Sequence, residues 1–265
     1  AIGAATCDIK AGEHIHSHNL ATKLSGQIDY RYDGCQAQPL AFPPGLPTEF
    51  MGYRRANGKV GTRNELWIIN TVGCVNRAAM RVAEQARKLY SNDIDGIYAF
   101  THPFGCSQLG DDLDHTRRLL AGLIQHPNAG GVLVMGLGCE NNQLSKLLAA
   151  SPGVDLNRIR SFNAQQVEDE IEQGLDAVAE LVTQMRQDKR SLCPVSDLVV
   201  GMKCGGSDGL SGLTANPLVG RIADLVAAGK GKVVLTETPE MFGAEQVFMA
   251  RAQNEQVFGD IVTLV

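Results

Sequence analysis

The stretch Leu66-Trp-Ile-Ile-Asn-Thr-Val-Gly-Cys-Val-Asn76 joins a short apolar run to a turn that contains a Gly-Cys pair. Continuous apolar runs of this length are typical of strands that are buried on both faces of a parallel sheet. Further runs of the same kind lie at 96–100, 131–135, 197–200 and 232–235, with a less regular candidate at 158–162. The pattern therefore predicts a sheet built from several short, fully buried strands.

Amphipathic segments alternate with these apolar runs. The predicted helices are 77–90, 113–125, 142–150, 167–187 and 218–228. Strand and helix alternation predicts an α/β fold with a doubly wound, mostly parallel sheet, built here from repeated β-(Gly-Cys)-α units.

Four of the seven cysteines follow this repeat, each in a Gly-Cys or Cys-Gly pair: Cys74, Cys106, Cys139 and Cys204. Successive members are separated by 32, 33 and 65 residues, and one βαβ unit takes about 30 residues or more. We therefore expect the four thiols at the carboxyl ends of strands in one sheet, the edge where open α/β sheets bind ligands. The alternative is that they are small buried core residues, as free cysteines often are. The other three, Cys7, Cys35 and Cys193, are interpreted as structural.

Composition excludes several classes of protein. The 265 residues are 44% hydrophobic, which is too apolar for a chain that is mainly disordered. The net charge of −5 does not favour nucleic-acid binding. No apolar run approaches the roughly 20 residues that cross a bilayer, so we expect no membrane span. Widely spaced cysteines in a chain of this size indicate reduced, cytosolic thiols rather than a disulfide framework.

The first 50 residues lack the alternation seen later. Residues 1–19 start in the middle of an element, and 20–50, with four prolines between 39 and 47, are interpreted as a linker. Residues 51–265 are then the central α/β domain. Because the chain opens on Ala1 and stops at Val265 without a closing polar segment, we interpret it as a fragment of a longer protein.

The strand-end turns combine glycine with thiol, amide, hydroxyl and carboxylate groups. Glycine lets backbone N–H groups approach a ligand closely, and thiolates are soft ligands that suit iron, iron–sulfur clusters or zinc. No C-x₂-C pair is present, so a structural zinc is disfavoured. No G-x-G-x-x-G follows a strand, so a nicotinamide site is also disfavoured.

Three further patterns are candidates for chemistry. If residues 13–19 are extended, His14, His16 and His18 share one face and can hold a metal ion or a carboxylate; the alternative is a solvated strand face. Asn57-Gly58 predicts a hairpin of strands 51–56 and 59–66. Its arginines 54, 55 and 63 can anchor a carboxylate or lie in solvent. Glu237 and Glu240 are acid/base candidates, whereas Glu245 is expected on a helix surface.

Several of these segments resemble the altronate/galactarate dehydratase family, over nearly the whole chain. The resemblance rests on Gly-Glu-His-Ile-His-Ser-His-Asn (12–19), Tyr-Arg-Arg-Ala-Asn-Gly-Lys-Val-Gly-Thr-Arg-Asn (53–64), Phe-Gly-Cys-Ser-Gln-Leu-Gly-Asp-Asp (104–112), Gly-Leu-Gly-Cys-Glu-Asn-Asn-Gln (136–143), Cys-Gly-Gly-Ser-Asp-Gly-Leu-Ser-Gly-Leu-Thr-Ala-Asn-Pro (204–217) and Thr-Pro-Glu-Met-Phe-Gly-Ala-Glu-Gln (238–246). In detail these motifs resemble the altronate branch more than the galactarate branch.

The resemblance implies a cytoplasmic hydro-lyase of hexuronate breakdown that converts D-altronate to 2-dehydro-3-deoxy-D-gluconate. It also implies iron, as Fe²⁺ or an iron–sulfur cluster, with Mn²⁺ as a substitute, and a homo-oligomer. Family members are about twice this length and begin with a small SAF-type β domain, of which residues 1–19 would be the last strand. Galactarate dehydratase and sulfolactate sulfo-lyase are alternatives within the family. A metal- or redox-sensing module, or a subunit that needs a partner, is the alternative of another class.

Within this scheme the candidate site residues take three roles. The proposed iron ligands are all or some of Cys74, Cys106, Cys139 and Cys204. A second metal or substrate cluster is proposed at His14, His16 and His18; the alternative is that these histidines bind the iron and the cysteines line the sheet edge. The proposed substrate-binding residues are Arg54, Arg63, Asn142, Ser207 and Asn216. The proposed acid/base residues are His102, Glu140 and Glu237.

Overall fold

The computed structural model describes residues 3–22, 30–206 and 208–265. Eleven strands run through these residues: β1 Gly3–Ala5, β2 Leu20–Thr22, β3 Glu49–Arg54, β4 Val60–Gly61, β5 Glu65–Asn70, β6 Gly96–Phe100, β7 Ala129–Gly136, β8 Ile159–Asn163, β9 Ser191–Pro194, β10 Val199–Met202 and β11 Lys232–Leu235. The α-helices of the same residues are α1 Asn76–Tyr90, α2 Gly110–Ile124, α3 Leu144–Ala149, α4 Glu170–Met185, α5 Ala215–Ala228, α6 Glu245–Met249 and α7 Glu255–Leu264.

The chain divides into two compact units. One comprises Pro47–Asp197, and the other comprises Ala1–Leu46 together with Leu198–Val265. The predicted central domain, 51–265, spans parts of both, so we describe each unit by itself.

The unit 47–197 is built on a four-stranded parallel sheet of order β6-β5-β7-β8. All six residues of β5 are buried. Leu66 and Ile68 pack under α1 and α4, whereas Trp67 and Ile69 pack under α2 and α3. Helices therefore cover both faces, and the predicted α/β fold with a parallel sheet is confirmed.

The strand order places a topological switch point between β5 and β7. The chain leaves β5 for β6 on one side and then returns across β5 to form β7 on the other. The connections after β5 and β7 therefore diverge at their carboxyl ends and open a crevice, which is where ligands bind in sheets of this kind.

The predicted hairpin forms only in part. β3 pairs antiparallel with β4 and, on its other edge, with β9. The predicted second strand, 59–66, divides between two sheets. Backbone N–H groups of Thr62 and Asn64 bind the side chains of Asn128 (2.8 Å) and Asp95 (2.7 Å), and this turn directs the chain into the parallel sheet.

In the other unit, β1 pairs antiparallel with β2, and β10 pairs parallel with β11. Strand β2 lies within the range predicted as a linker, 20–50. Only Gly3–Ala5 of the predicted strand 1–19 is a strand among the described residues. No helix in the described part of the chain has the length and apolar character needed to cross a membrane.

Candidate active site

Three of the Gly-Cys turns are neighbours at the carboxyl edge of the parallel sheet. Cys74 follows β5, Cys106 follows β6 and Cys139 follows β7. The N–H of Gly73 donates to the carbonyl of Phe104 (2.7 Å), and the N–H of Asn141 donates to the carbonyl of Cys106 (2.9 Å). A side chain on residue 73 would stand 2.8 Å from the His102 carbonyl, so glycine is required for the first of these contacts. Three of the four predicted turns thus meet at one sheet edge, whereas Cys204 follows β10, which belongs to the two-stranded sheet β10-β11, so its placement in the same sheet was wrong.

Asn76, at the first position of α1, connects two of these turns. Its side-chain oxygen accepts from Asn70 (2.8 Å), and its side-chain nitrogen donates to the His102 carbonyl (2.9 Å). The side-chain oxygen of Asn70 is buried and has no hydrogen-bond partner among the described residues. Both asparagines belong to the turn motif quoted above, but their positioning role depends on contacts between turns that a single sequence does not show.

Both ring nitrogens of His102 are engaged. Nε2 lies 3.0 Å from the carbonyl of Asn70, and the N–H of Phe104 donates to Nδ1 at 3.3 Å. Because a carbonyl only accepts and an N–H only donates, these contacts require the neutral tautomer that carries its proton on Nε2. His102 therefore lies at the predicted edge, with its proton directed at the protein.

Glu140 lies at the switch point, beneath the crevice, and is only 2% exposed. Its carboxylate accepts from the hydroxyl of Thr71 (2.5 Å), from the N–H of Leu137 (3.1 Å) and from the N–H of Gly138 (2.6 Å). Burial alone would raise the pKa of Glu140, but these hydrogen bonds outweigh it and hold the pKa below its usual value. The side chain is therefore an anion at neutral pH that joins the turns after β5 and β7.

Asn142 is also buried and occupied by protein contacts. It donates to the carbonyl of Thr71 (3.3 Å) and accepts from Nε of Arg117 on α2 (3.2 Å). In this structure both ends of the amide bind protein groups. A contact of Asn142 with substrate stays a prediction.

The thiols of Cys74, Cys106 and Cys139 are exposed at this edge. Gln165 donates to the sulfur of Cys139 at 3.8 Å. Among the described residues, however, no three His, Cys, Asp or Glu side chains come close enough to hold a metal ion. These three thiols therefore share one sheet edge, but the described residues around them do not form a group of three metal ligands.

Arg54 and Arg63 lie at the other end of the sheet. Arg54 pairs with Asp197 (3.0 Å), while Arg63 pairs with Glu65 (2.5 Å) and donates to the Asp95 carbonyl. Residue 63 lies two positions before the start of β5, and a strand of six residues spans about 20 Å. The two arginines and the cysteine turns of this unit therefore cannot contact one small ligand together.

The remaining predicted strand-end residues lie in the other unit, beyond β10 and β11. Glu237 accepts from Lys203 (2.9 Å) and from the N–H of Cys204 (3.0 Å), and these two contacts lower its pKa. Its φ of 60° is in the left-handed region that non-glycine residues rarely adopt. Asn216 lies 3.8 Å from the sulfur of Cys204. Ser207 lies outside the described residues.

The histidine segment is not extended. Asn19 accepts from the N–H of His16 (2.9 Å) and donates to the carbonyl of His14 (2.9 Å), which bends the chain into a turn. The rings of His14 and His16 stack with centroids 5.7 Å apart. His18 lies within the turn, so the expectation of one shared strand face was wrong.

Glu245 was expected on a helix surface, and this was also wrong. The side chain is buried, and Tyr30 donates to its carboxylate at 2.9 Å. The amphipathic pattern of a short helix does not reveal a tyrosine more than 200 residues earlier in the chain.

Comparison with known proteins identifies relatives of both parts of the chain. Residues 52–186 match the family model "D-galactarate dehydratase/Altronate hydrolase, second domain", and 195–265 match "D-galactarate/Altronate dehydratase, C-terminal". Altronate dehydratase of Escherichia coli (strain K12) is 48% identical over 100% of this chain and 53% of its own length.

Two more distant relatives carry other activities in their names. Galactarate dehydratase (L-threo-forming) of Escherichia coli is 34% identical over 92% of this chain and 46% of its own length. The β subunit of (2R)-sulfolactate sulfo-lyase of Chromohalobacter salexigens is 35% identical over 78% of this chain and 51% of its own length. The chain spans about half the length of the curated relatives it matches.

Proposed function

Because the chain belongs to the D-galactarate dehydratase/altronate hydrolase family, we propose that the full-length protein is a hydro-lyase that converts D-altronate to 2-dehydro-3-deoxy-D-gluconate. The observation that carries this proposal is the 48% identity to an altronate dehydratase along the whole chain. The relatives named for galactarate and sulfolactate are 34% and 35% identical over smaller shares. Altronate is therefore favoured over the two alternatives.

The reaction breaks the C2–H and C3–O bonds of the sugar acid and releases water. The resulting enol then takes its 2-oxo form, with the same atoms. A base must remove the C2 proton, and an acid must protonate the departing hydroxyl. The acid/base roles of His102, Glu140 and Glu237 are proposals, and each residue must exchange a protein hydrogen bond for substrate to take part.

The carboxyl edge of the sheet is the proposed binding site in the unit 47–197. Backbone N–H groups, asparagine amides and thiols surround the crevice beside Thr71, and such groups suit a polyhydroxy acid. The hydrogen bonds that join the three turns fix this surface before substrate arrives, which reduces the entropic cost of binding.

Iron remains a proposal for the full-length protein. Iron would polarise the carboxylate and assist hydroxide loss. The described residues do not by themselves assemble three suitable ligands, and this chain is about half the length of its relatives. We therefore derive no step through the metal. A homo-oligomer and a cytoplasmic location are proposed on the resemblance alone.

The proposal predicts that anaerobically purified full-length protein forms the 2-oxo acid from D-altronate, and that a chelator abolishes turnover until Fe²⁺ is restored. Product is measured by mass spectrometry, with galactarate and sulfolactate as competing substrates and metal content determined in parallel. Turnover with bound iron supports the proposal. Preference for galactarate or sulfolactate contradicts the proposed substrate. Full activity of the metal-free protein contradicts the proposed role of iron. A protein that binds iron but transforms none of the three would instead support a sensing role.

A further inference from the structure

An open groove lies between α1 and the outermost strand of the sheet, β6. It encloses about 460 Å³. Its lining includes Arg77, Met80, Arg81, Arg87, Ala99 and Thr101. The groove contains three guanidinium groups, and none of these arginines was singled out from the sequence.

Two nearby carboxylates, Glu84 and Asp169, interact electrostatically with Arg81, but neither pairs with it directly. The carboxylate of Glu84, which also lines the groove, is already paired with Lys88 at 3.1 Å. Arg87 donates from Nε to the Ile97 carbonyl (2.8 Å) and is thereby fixed against the edge strand. Arg77 and Arg81 make no hydrogen bond or ion pair with any of the described residues. Two guanidinium forks are therefore available to an anion.

The positions of these two arginines are unfavourable for the helix itself. Arg77 lies in the first turn of α1, where the helix dipole disfavours positive charge, and no acidic residue accompanies it there. Arg77 and Arg81 are four residues apart, so their like charges repel on one helix face. These costs are small. The nearby carboxylates of Glu84 and Asp169 offset part of the cost at Arg81, whereas Arg77 has no such partner among the described residues.

Two residues that line the groove are sequence neighbours of residues in the candidate active site. Arg77 follows Asn76, whose amide binds the His102 carbonyl, and Thr101 precedes His102. A ligand whose anionic end lies between Arg77 and Arg81 would extend towards the turns of Cys74 and Cys106.

We propose that Arg77 and Arg81 bind the carboxylate of the sugar-acid substrate, with the polyhydroxy chain directed towards the turn cluster. The inference rests on the proposed function. Arginine suits this role because its planar fork matches a carboxylate bidentately. The pair makes the groove selective for acids over the corresponding neutral alditols.

The test uses the full-length enzyme with R77Q and R81Q variants. The KM for D-altronate should rise about 10- to 100-fold for each variant, while kcat changes less than threefold. The reason is that each variant loses hydrogen bonds to a charged group that bind the ground state and the transition state equally. R77K, which retains charge without the fork, should recover part of the affinity. R118Q on α2, also exposed and outside the groove, is the matched control and should leave KM unchanged.

Folding is checked by thermal unfolding, and R77Q should be at least as stable as the wild type because it relieves the repulsion. Unchanged KM in an active R77Q and R81Q enzyme overturns the inference and leaves the proposed function intact. If the wild type does not turn over D-altronate, the affinity of the groove for D-altronate is measured separately by titration calorimetry. Binding of D-altronate that R77Q weakens supports the inference, whereas absent binding or equal binding to both proteins overturns it.

Discussion

Replacing Asp188 with asparagine should lower the free energy of unfolding by about 3–5 kcal/mol, because the change leaves two arginines without their shared carboxylate in a largely buried place. Arg158 binds Asp188 through two contacts (2.7 and 2.6 Å), and Arg55 approaches it at 3.4 Å. Burial lowers the pKa of Arg55, and Asp188 acts against this shift. Urea unfolding of this chain measures the change.

The control for this variant is D114N. Asp114 also pairs with an arginine, Arg117, at 3.1 Å, but its side chain is 58% exposed. Exposed pairs contribute about 0–1 kcal/mol, so D114N should leave the urea midpoint nearly unchanged. Equal effects of the two substitutions would show that burial of the Asp188 cluster is not what stabilises this end of the sheet.

The second large effect is expected for E140Q, which should destabilise the unit 47–197 by about 3 kcal/mol. Glutamine keeps one oxygen and places an N–H₂ group against the N–H of either Leu137 or Gly138, and hydrogen bonds to charged groups contribute about 1.5–3 kcal/mol each. Hydrogen exchange of Leu137 and Gly138 should rise with the loss of stability, while E180Q, at an exposed ion pair, should change little.

The pH dependence of this effect has a defined sign. Because the pKa of Glu140 in the folded protein lies below its unfolded value, the carboxylate stabilises the fold above the unfolded pKa, and this stabilisation is lost as pH falls through the folded pKa. The difference between wild type and E140Q should therefore shrink in acid. A difference that stays constant from neutral pH to pH 3 would contradict the role given to the carboxylate.

Much of the fold of the unit 47–197 was predictable because its signal is local. Fully buried strands such as β5 appear as continuous apolar runs, and α1 shows the helical period, so both were predicted to within one or two residues. The start of β5 was not separable from the preceding hairpin strand, since the turn at 62–64 depends on Asn128 and Asp95. Those contacts join residues far apart in the sequence.

The candidate site was predictable only where it follows from topology. The near-constant spacing of Gly-Cys pairs placed Cys74, Cys106 and Cys139 at one edge, because parallel strands end on the same side. The grouping of Arg54 with that edge was wrong for this unit, since Arg54 ends β3 in the separate sheet β4-β3-β9 and lies beside residues 129–131, where β7 begins. Residue types that suit a carboxylate do not reveal which end of a strand they occupy.

Arg77 was missed for a different reason. Its sequence signal is an arginine in the first turn of a helix, followed four positions later by a second arginine. This pattern is also common on solvated helices. Only the groove beside β6 and the lack of partners among the described residues distinguish it.

The central claim is that substrate binds at the carboxyl edge of the parallel sheet, beside the three Gly-Cys turns. The most direct measurement is alkylation of the full-length protein with iodoacetamide, followed residue by residue by mass spectrometry, with and without saturating D-altronate. Substrate should slow the labelling of Cys74, Cys106 and Cys139, while Cys7, also exposed, reports the unprotected rate. Equal rates at the three turn cysteines with and without D-altronate would contradict the claim.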